Sequence, residues 1–134
     1  MRLSGNDFFC GLTAPWGESS FSLIVGGWGG GLVGLSSVDG YDASENETTK
    51  FMGFETGRWY RIRMRVTDER IEAWIDQEKL VNLEITGRKI TMRPGDIESS
   101  APLGISCWET GAAVREIKWR RVSGPEGPLK RTFQ

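Results

Sequence analysis

None of the 134 residues is a histidine. A Ser-His-Asp or Cys-His site, a histidine general base and most zinc or copper ligand sets are therefore excluded within this chain. Acid-base or nucleophilic chemistry would fall to carboxylates, lysine or tyrosine. The carboxylates to consider as catalytic are Asp7, Glu72 and Asp76, because Glu72 and Asp76 share one face of a strand with Trp74 and Asp7 on the first strand could face the same side. The binding chemistry lies in tryptophan and arginine. Sugar rings present C–H faces that stack on aromatics, so Trp28, Trp74 and Trp108, with Arg61 and Arg63 nearby, are the residues expected to hold a saccharide. Trp16 and Trp59 are further candidates, whereas Trp119 falls among apolar positions and reads as core. The plainer alternatives are structural tryptophans under loops and a solvated, charge-paired sheet face.

A second cluster, Asp39, Asp42, Glu45 and Glu47, lies in the acidic stretch DGYDASENETT and could offer hard oxygen ligands to Ca²⁺. No EF-hand spacing is present, and a solvated acidic loop explains the same residues. Glu45 and Glu47 have the two-residue spacing of a glucanase strand motif but lack its central aspartate and its apolar surroundings. Asn46-Glu47-Thr48 matches the N-glycosylation pattern over three residues only. Cys10 and Cys107 each sit in an apolar run, FFCGL and GISCW, and read as two buried thiols or as one disulfide between neighbouring strands.

The elements that would position these side chains are strands. Apolar and polar residues alternate with period two, and no long 3.6-residue stripe occurs. Residues 6–14 and 20–26 read as strands around the turn APWGES, and 32–38 as a third. Between them GGWGGG suggests a bulge or close backbone approach around Trp28. The hairpin from Arg58 to Ile85 is clearest: Tyr60, Ile62, Met64 and Val66 share one face, with Trp59, Arg61, Arg63 and Arg65 on the other. LGISCWET and AAVREIKWRRV close the domain, the latter with an odd step near Glu116 that a β-bulge would produce. The expected organisation is one β-sandwich domain over residues 1–122 and a Pro/Gly-rich tail or linker over 123–134.

Composition narrows the partners. Glycine numbers 18 and tryptophan 6, which suits an all-β domain with tight turns. Seventeen basic and 18 acidic side chains are intermixed, so no chain-wide basic field draws nucleic acid. No apolar run is long enough to insert into a membrane, and MRLSGNDFF has no signal-peptide core.

The segments GRWYRIRMRVTDERIEAWIDQEKLVNLEI and PLGISCWETGAAVREIKWRRV resemble the C-terminal strand series of concanavalin A-like jelly rolls. More narrowly, GNDFFCGLTAPWG, SLIVGGWGGGLVGLSSVDG and DASENETTKF are similar to bacterial 3-keto-disaccharide hydrolase domains, which are family-16 glycoside hydrolase-like. The resemblance implies an antiparallel jelly-roll sandwich whose concave face binds or cleaves saccharides, in an extracytoplasmic, periplasmic or secreted setting. It also implies strands ahead of Gly5-Asn6-Asp7-Phe8, so an open edge is expected near residues 6–14, to be covered by a missing N-terminal segment or by a second copy in a homodimer. The Glu-x-Asp-x-Glu motif of true family-16 glucanases is absent. The alternative is therefore a non-catalytic carbohydrate-binding or interaction module of a larger protein.

Overall fold

Alternation between large apolar and small polar side chains in the first third of the chain, and between apolar and charged ones in the central hairpin, resolves into antiparallel sheets. A computed structural model describes residues 1–123 and 129–133. In chain order its strands are β1 (Arg2–Gly5), β2 (Cys10–Trp16), β3 (Ser19–Gly26), β4 (Leu32–Ser36), β5 (Lys50–Phe51), β6 (Ile62–Val66), β7 (Arg70–Ile75), β8 (Glu78–Glu84), β9 (Gly104–Ser106), β10 (Thr110–Ala112), β11 (Trp119–Ser123) and β12 (Leu129–Phe133). Every strand pairing is antiparallel, and the protein belongs to the all-β class expected of a β-sandwich. The contacts gather into two compact units: Met1–Arg58 with Arg88–Ala113, and Trp59–Gly87 with Val114–Gln134.

The first unit carries a five-stranded sheet in the order β5-β4-β3-β2-β9. Its register aligns Leu12, Leu23 and Leu35, and likewise Cys10, Val25 and Val33, so one face is continuous and apolar. The opposite face is built from Gly11, Thr13, Ser20, Ser22, Gly34 and Ser36. All of these are buried as well, so burial along β2–β4 does not alternate although the chemistry does. Two covering segments explain this. Ala43 lies over Gly34, where an added Cβ would meet the Ala43 carbonyl at 2.8 Å. Asp96–Ser100, a short 3-10 turn, seats Ser100 on Thr13 with a hydroxyl–hydroxyl bond of 2.6 Å and packs Ile97 against Ile24, Leu32 and Ala43.

The Gly26–Gly31 segment makes the close approach its composition suggests. Trp28, Gly29 and Gly30 have φ of 47, 85 and 97°, and a Cβ on Gly30 would lie 2.7 Å from Asn6 Oδ1. The edge expected near residues 6–14 is not open, because Gly11–Thr13 pair with β3 on one side and with β9 on the other. Cys107 is also a correction: both cysteines are free, Cys10 is buried and Cys107 is exposed.

The second unit carries a five-stranded sheet in the order β11-β12-β6-β7-β8. Met64, Val66, Ile71, Ala73, Ile75, Val81 and Leu83 form its buried face. Arg63, Arg65, Glu72 and Trp74 occupy the other, as the period-two pattern predicts. Strand β12, within the stretch expected as tail or linker, pairs with both β11 and β6. The single bulged strand expected over AAVREIKWRRV is instead two strands in different sheets, parted at residues 113–118 where Glu116 takes φ 54°. Trp119 is 56% exposed and is not core.

Candidate functional site

A cleft of about 600 Å³ opens on the polar side of the first unit's sheet. Its floor includes Ile24 and Ser36 from β3 and β4, and Ser106 from β9. Two tryptophans line it. Trp28 is held in the left-handed glycine turn, and Trp108 follows β9 with its backbone N–H donating to the Phe8 carbonyl at 3.2 Å. They are 43% and 42% exposed, so each ring keeps much of its surface in solvent.

Asp7 joins them from the segment preceding β2. Its N–H donates to Thr110 Oγ1 at 3.0 Å, and its Oδ1 accepts the Phe8 N–H at 2.8 Å, which fixes the carboxylate against its own backbone. Asp42 enters from the loop after β4. Its Oδ1 accepts from Ser36 Oγ and from the Ala43 N–H, both at 2.7 Å, while Oδ2 pairs with Arg93 Nη1 at 3.1 Å. The Arg93 guanidinium lies 5.8 Å from the Trp28 ring centroid. Thus one cation touches both the aromatic wall and the most heavily bonded carboxylate. Asp96 completes the acidic lining, and exposed Cys107 is on the rim.

Of the residues singled out from sequence, Asp7, Trp28, Asp42 and Trp108 come together here. Glu72, Asp76, Arg61, Arg63 and Trp74 belong to the second unit. There Asp76 sits in the β7–β8 turn at φ 54°, its Oδ1 accepting the Arg61 N–H at 2.9 Å, and Glu72 pairs with Lys79 at 2.5 Å. Glu72 and Asp76 are therefore not among the residues that line the cleft with Asp7.

The carboxylates considered for Ca²⁺ do not converge either. Asp39 and Glu47 both grip Arg88, with Asp39 Oδ2 at 2.5 Å from Nε. Asp42 is committed to Arg93, and Glu45 is exposed on the loop. Among the described residues no three His, Cys, Asp or Glu side chains gather in a metal-holding arrangement. The Lys89 backbone N–H, and then the Arg88 side chain, hold the Asp39 carboxyl below its ordinary range. Glu47 first, then Asp39, raise the Arg88 guanidinium above its own. This cluster is a clasp between the loop after β4 and the segment entering Lys89–Thr91.

Arg93, Asp96 and Ser106 were not foreseen. Arg93 and Asp96 lie in TMRPGDIESS, which has no periodicity, so nothing along the chain signals that this segment crosses a sheet face. The chain matches no family model, no curated protein and no solved structure.

Proposed function

We propose that the first unit binds a saccharide in the cleft between Trp28 and Trp108. The supporting observation is the pairing itself: two half-exposed tryptophans line one cleft whose size lies within the range of small-molecule sites. Aromatic faces offer a platform for the C–H faces of a pyranose. Asp7, Asp42 and Ser36 supply acceptors for its hydroxyls, and the Arg93 fork supplies donors. Arg93 also neutralises Asp42, whereas among the described residues the Asp7 carboxylate accepts only the Phe8 backbone N–H.

The resemblance to 3-keto-disaccharide hydrolases supports a second, catalytic reading, and Asp7 beside the tryptophans favours it. A ketone at C3 of the sugar acidifies the C2–H. Asp7 would take that proton and the aglycone would leave C1 with its bonding electrons and a proton from solvent, giving a C1=C2 double bond; water adding at C1, with Asp7 returning the proton to C2, would then saturate that bond. No second carboxylate at glucanase spacing is needed by this route. Binding alone, as a module of a larger extracytoplasmic protein, requires only the platform.

Titration with a 3-keto-glucoside and its parent glucoside, followed by tryptophan fluorescence and product analysis, tests both readings. Trp108→Ala should weaken binding about tenfold or more while leaving the melting temperature nearly unchanged, as expected for a contact residue on a site rim. Asp7→Asn should abolish turnover and retain binding if the cleft is catalytic. Unaltered affinity in both Trp28→Ala and Trp108→Ala would reject the saccharide reading.

A further inference from the structure

The second unit carries a different charge from the first. Its sequence holds eleven Lys and Arg against eight Asp and Glu, whereas the first unit holds six against ten. The excess is concentrated on the polar face of its sheet. Arg63 and Arg65 project from β6, and Arg61 immediately precedes it. Alternate residues on a strand are separated by about 7 Å, which sets these guanidiniums in a line. The register places Arg120, through Thr132, in the same row as Arg65. Among the described residues Glu72 on β7, Glu84 on β8 and Asp76 in the β7–β8 turn are the acidic groups near them; Glu72 is taken by Lys79, and Asp76 accepts the Arg61 backbone N–H.

Arg63 is held in place but not neutralised. Arg63 Cζ lies 3.9 Å from the Trp74 ring centroid, with Lys79 Nζ at 5.3 Å from the same ring. This stacking fixes the guanidinium plane and leaves its N–H edge for a ligand. Among the described residues Arg63 and Arg65 have no ion-pair partner, and the shielded Nε of Arg65 has no hydrogen-bond acceptor. A buried N–H without an acceptor is uncommon in folded proteins.

We infer that this face of the β6–β7–β8 sheet binds a linear acidic polysaccharide through its carboxylates, at a site separate from the tryptophan cleft. A row of cations along a strand matches a row of anions rather than one compact ion. Guanidinium forks receive carboxylates bidentately. Nucleic acid fits less well, since the stacking platforms it would use are capped by cations, Trp74 by Arg63 and Trp59 by Arg115 at 4.0 Å. The inference does not depend on what the cleft binds.

The test measures retention of the full chain on immobilised polygalacturonate against neutral dextran. Polygalacturonate should bind and dextran should not, with binding lost as salt is raised. The Arg63→Gln/Arg65→Gln double variant should bind about tenfold more weakly or worse. Arg61→Gln, at an exposed position, should weaken binding with no effect on folding and serves if the double variant unfolds. Trp108→Ala should bind polygalacturonate like the unaltered chain. Equal retention on dextran, undiminished binding by the arginine variants, or tighter binding to a short DNA duplex or to phosphatidylserine vesicles would overturn the inference.

Discussion

Two cysteines with similar apolar neighbours have opposite surroundings. Cys10 is buried on the apolar side of β2, and burial pushes its thiol up to about 12, from an ordinary value near 9. Cys107 is exposed beside Trp108. Iodoacetamide at mildly alkaline pH should therefore add one group to the native chain, and Cys107→Ser should abolish the addition. Two groups on the folded protein would contradict the burial of Cys10. The linkage has a definite sign. Below the unfolded thiol's ordinary value both states keep the Cys10 proton. As pH rises from there towards 12, only the unfolded chain ionises, so stability falls with pH across that window and Cys10→Ala should flatten the fall. Local sequence could not separate the two thiols. FFCGL and GISCW are both apolar runs, and only the end of β9 at Ser106 turns Cys107 out to solvent.

At the scale of elements, the acidic loop after β4 does the work of a missing strand. Strand β5 pairs with only Leu32 and Val33, so the β4 edge beyond them needs other partners. The loop supplies them from side chains. Thr48 Oγ1 accepts the Leu35 N–H at 2.9 Å, and Asn46 Nδ2 donates to the Leu35 carbonyl at 2.7 Å. Asn46 Oδ1 in turn accepts from the Thr48 N–H and hydroxyl. Asn46→Ala would strip the bonds made by Asn46 and leave the buried Leu35 carbonyl unmatched, costing about 1–3 kcal/mol in urea unfolding. A loss under about 0.5 kcal/mol, the size of an ordinary surface change, would show that the loop does not anchor this edge. Asn46-Glu47-Thr48 thus has a structural use that its resemblance to a glycosylation pattern conceals. The segment Arg93–Ser100 is the counterpart on the polar face: composition marks it as irregular, and only its seat on Thr13 and Ile24 gives it a place.

At the scale of the whole molecule, the second unit depends on strands far apart in sequence. The β6–β7–β8 meander is local, whereas β12 lies between β11 and β6. A chain ending after Ser123 should lose hydrogen-exchange protection in β11 and at the β6 amides facing β12, while β3 in the first unit keeps its protection. Full protection of β11 in that truncation would contradict the strand order. What the sequence determined by itself was the all-β class, the turn at Gly17, the two faces of β6 and β7, and the absence of histidine chemistry. Each follows from period-two alternation, from turn residues or from a residue type that is missing, all of which are local. Tertiary structure alone decided that Asp7, Trp28, Asp42 and Trp108 line one cleft while Arg63 and Trp74 belong to another sheet, and that Trp119 is exposed. Which side chains meet depends on strand order and on where irregular segments cross a sheet, and neither leaves a periodic trace in the sequence.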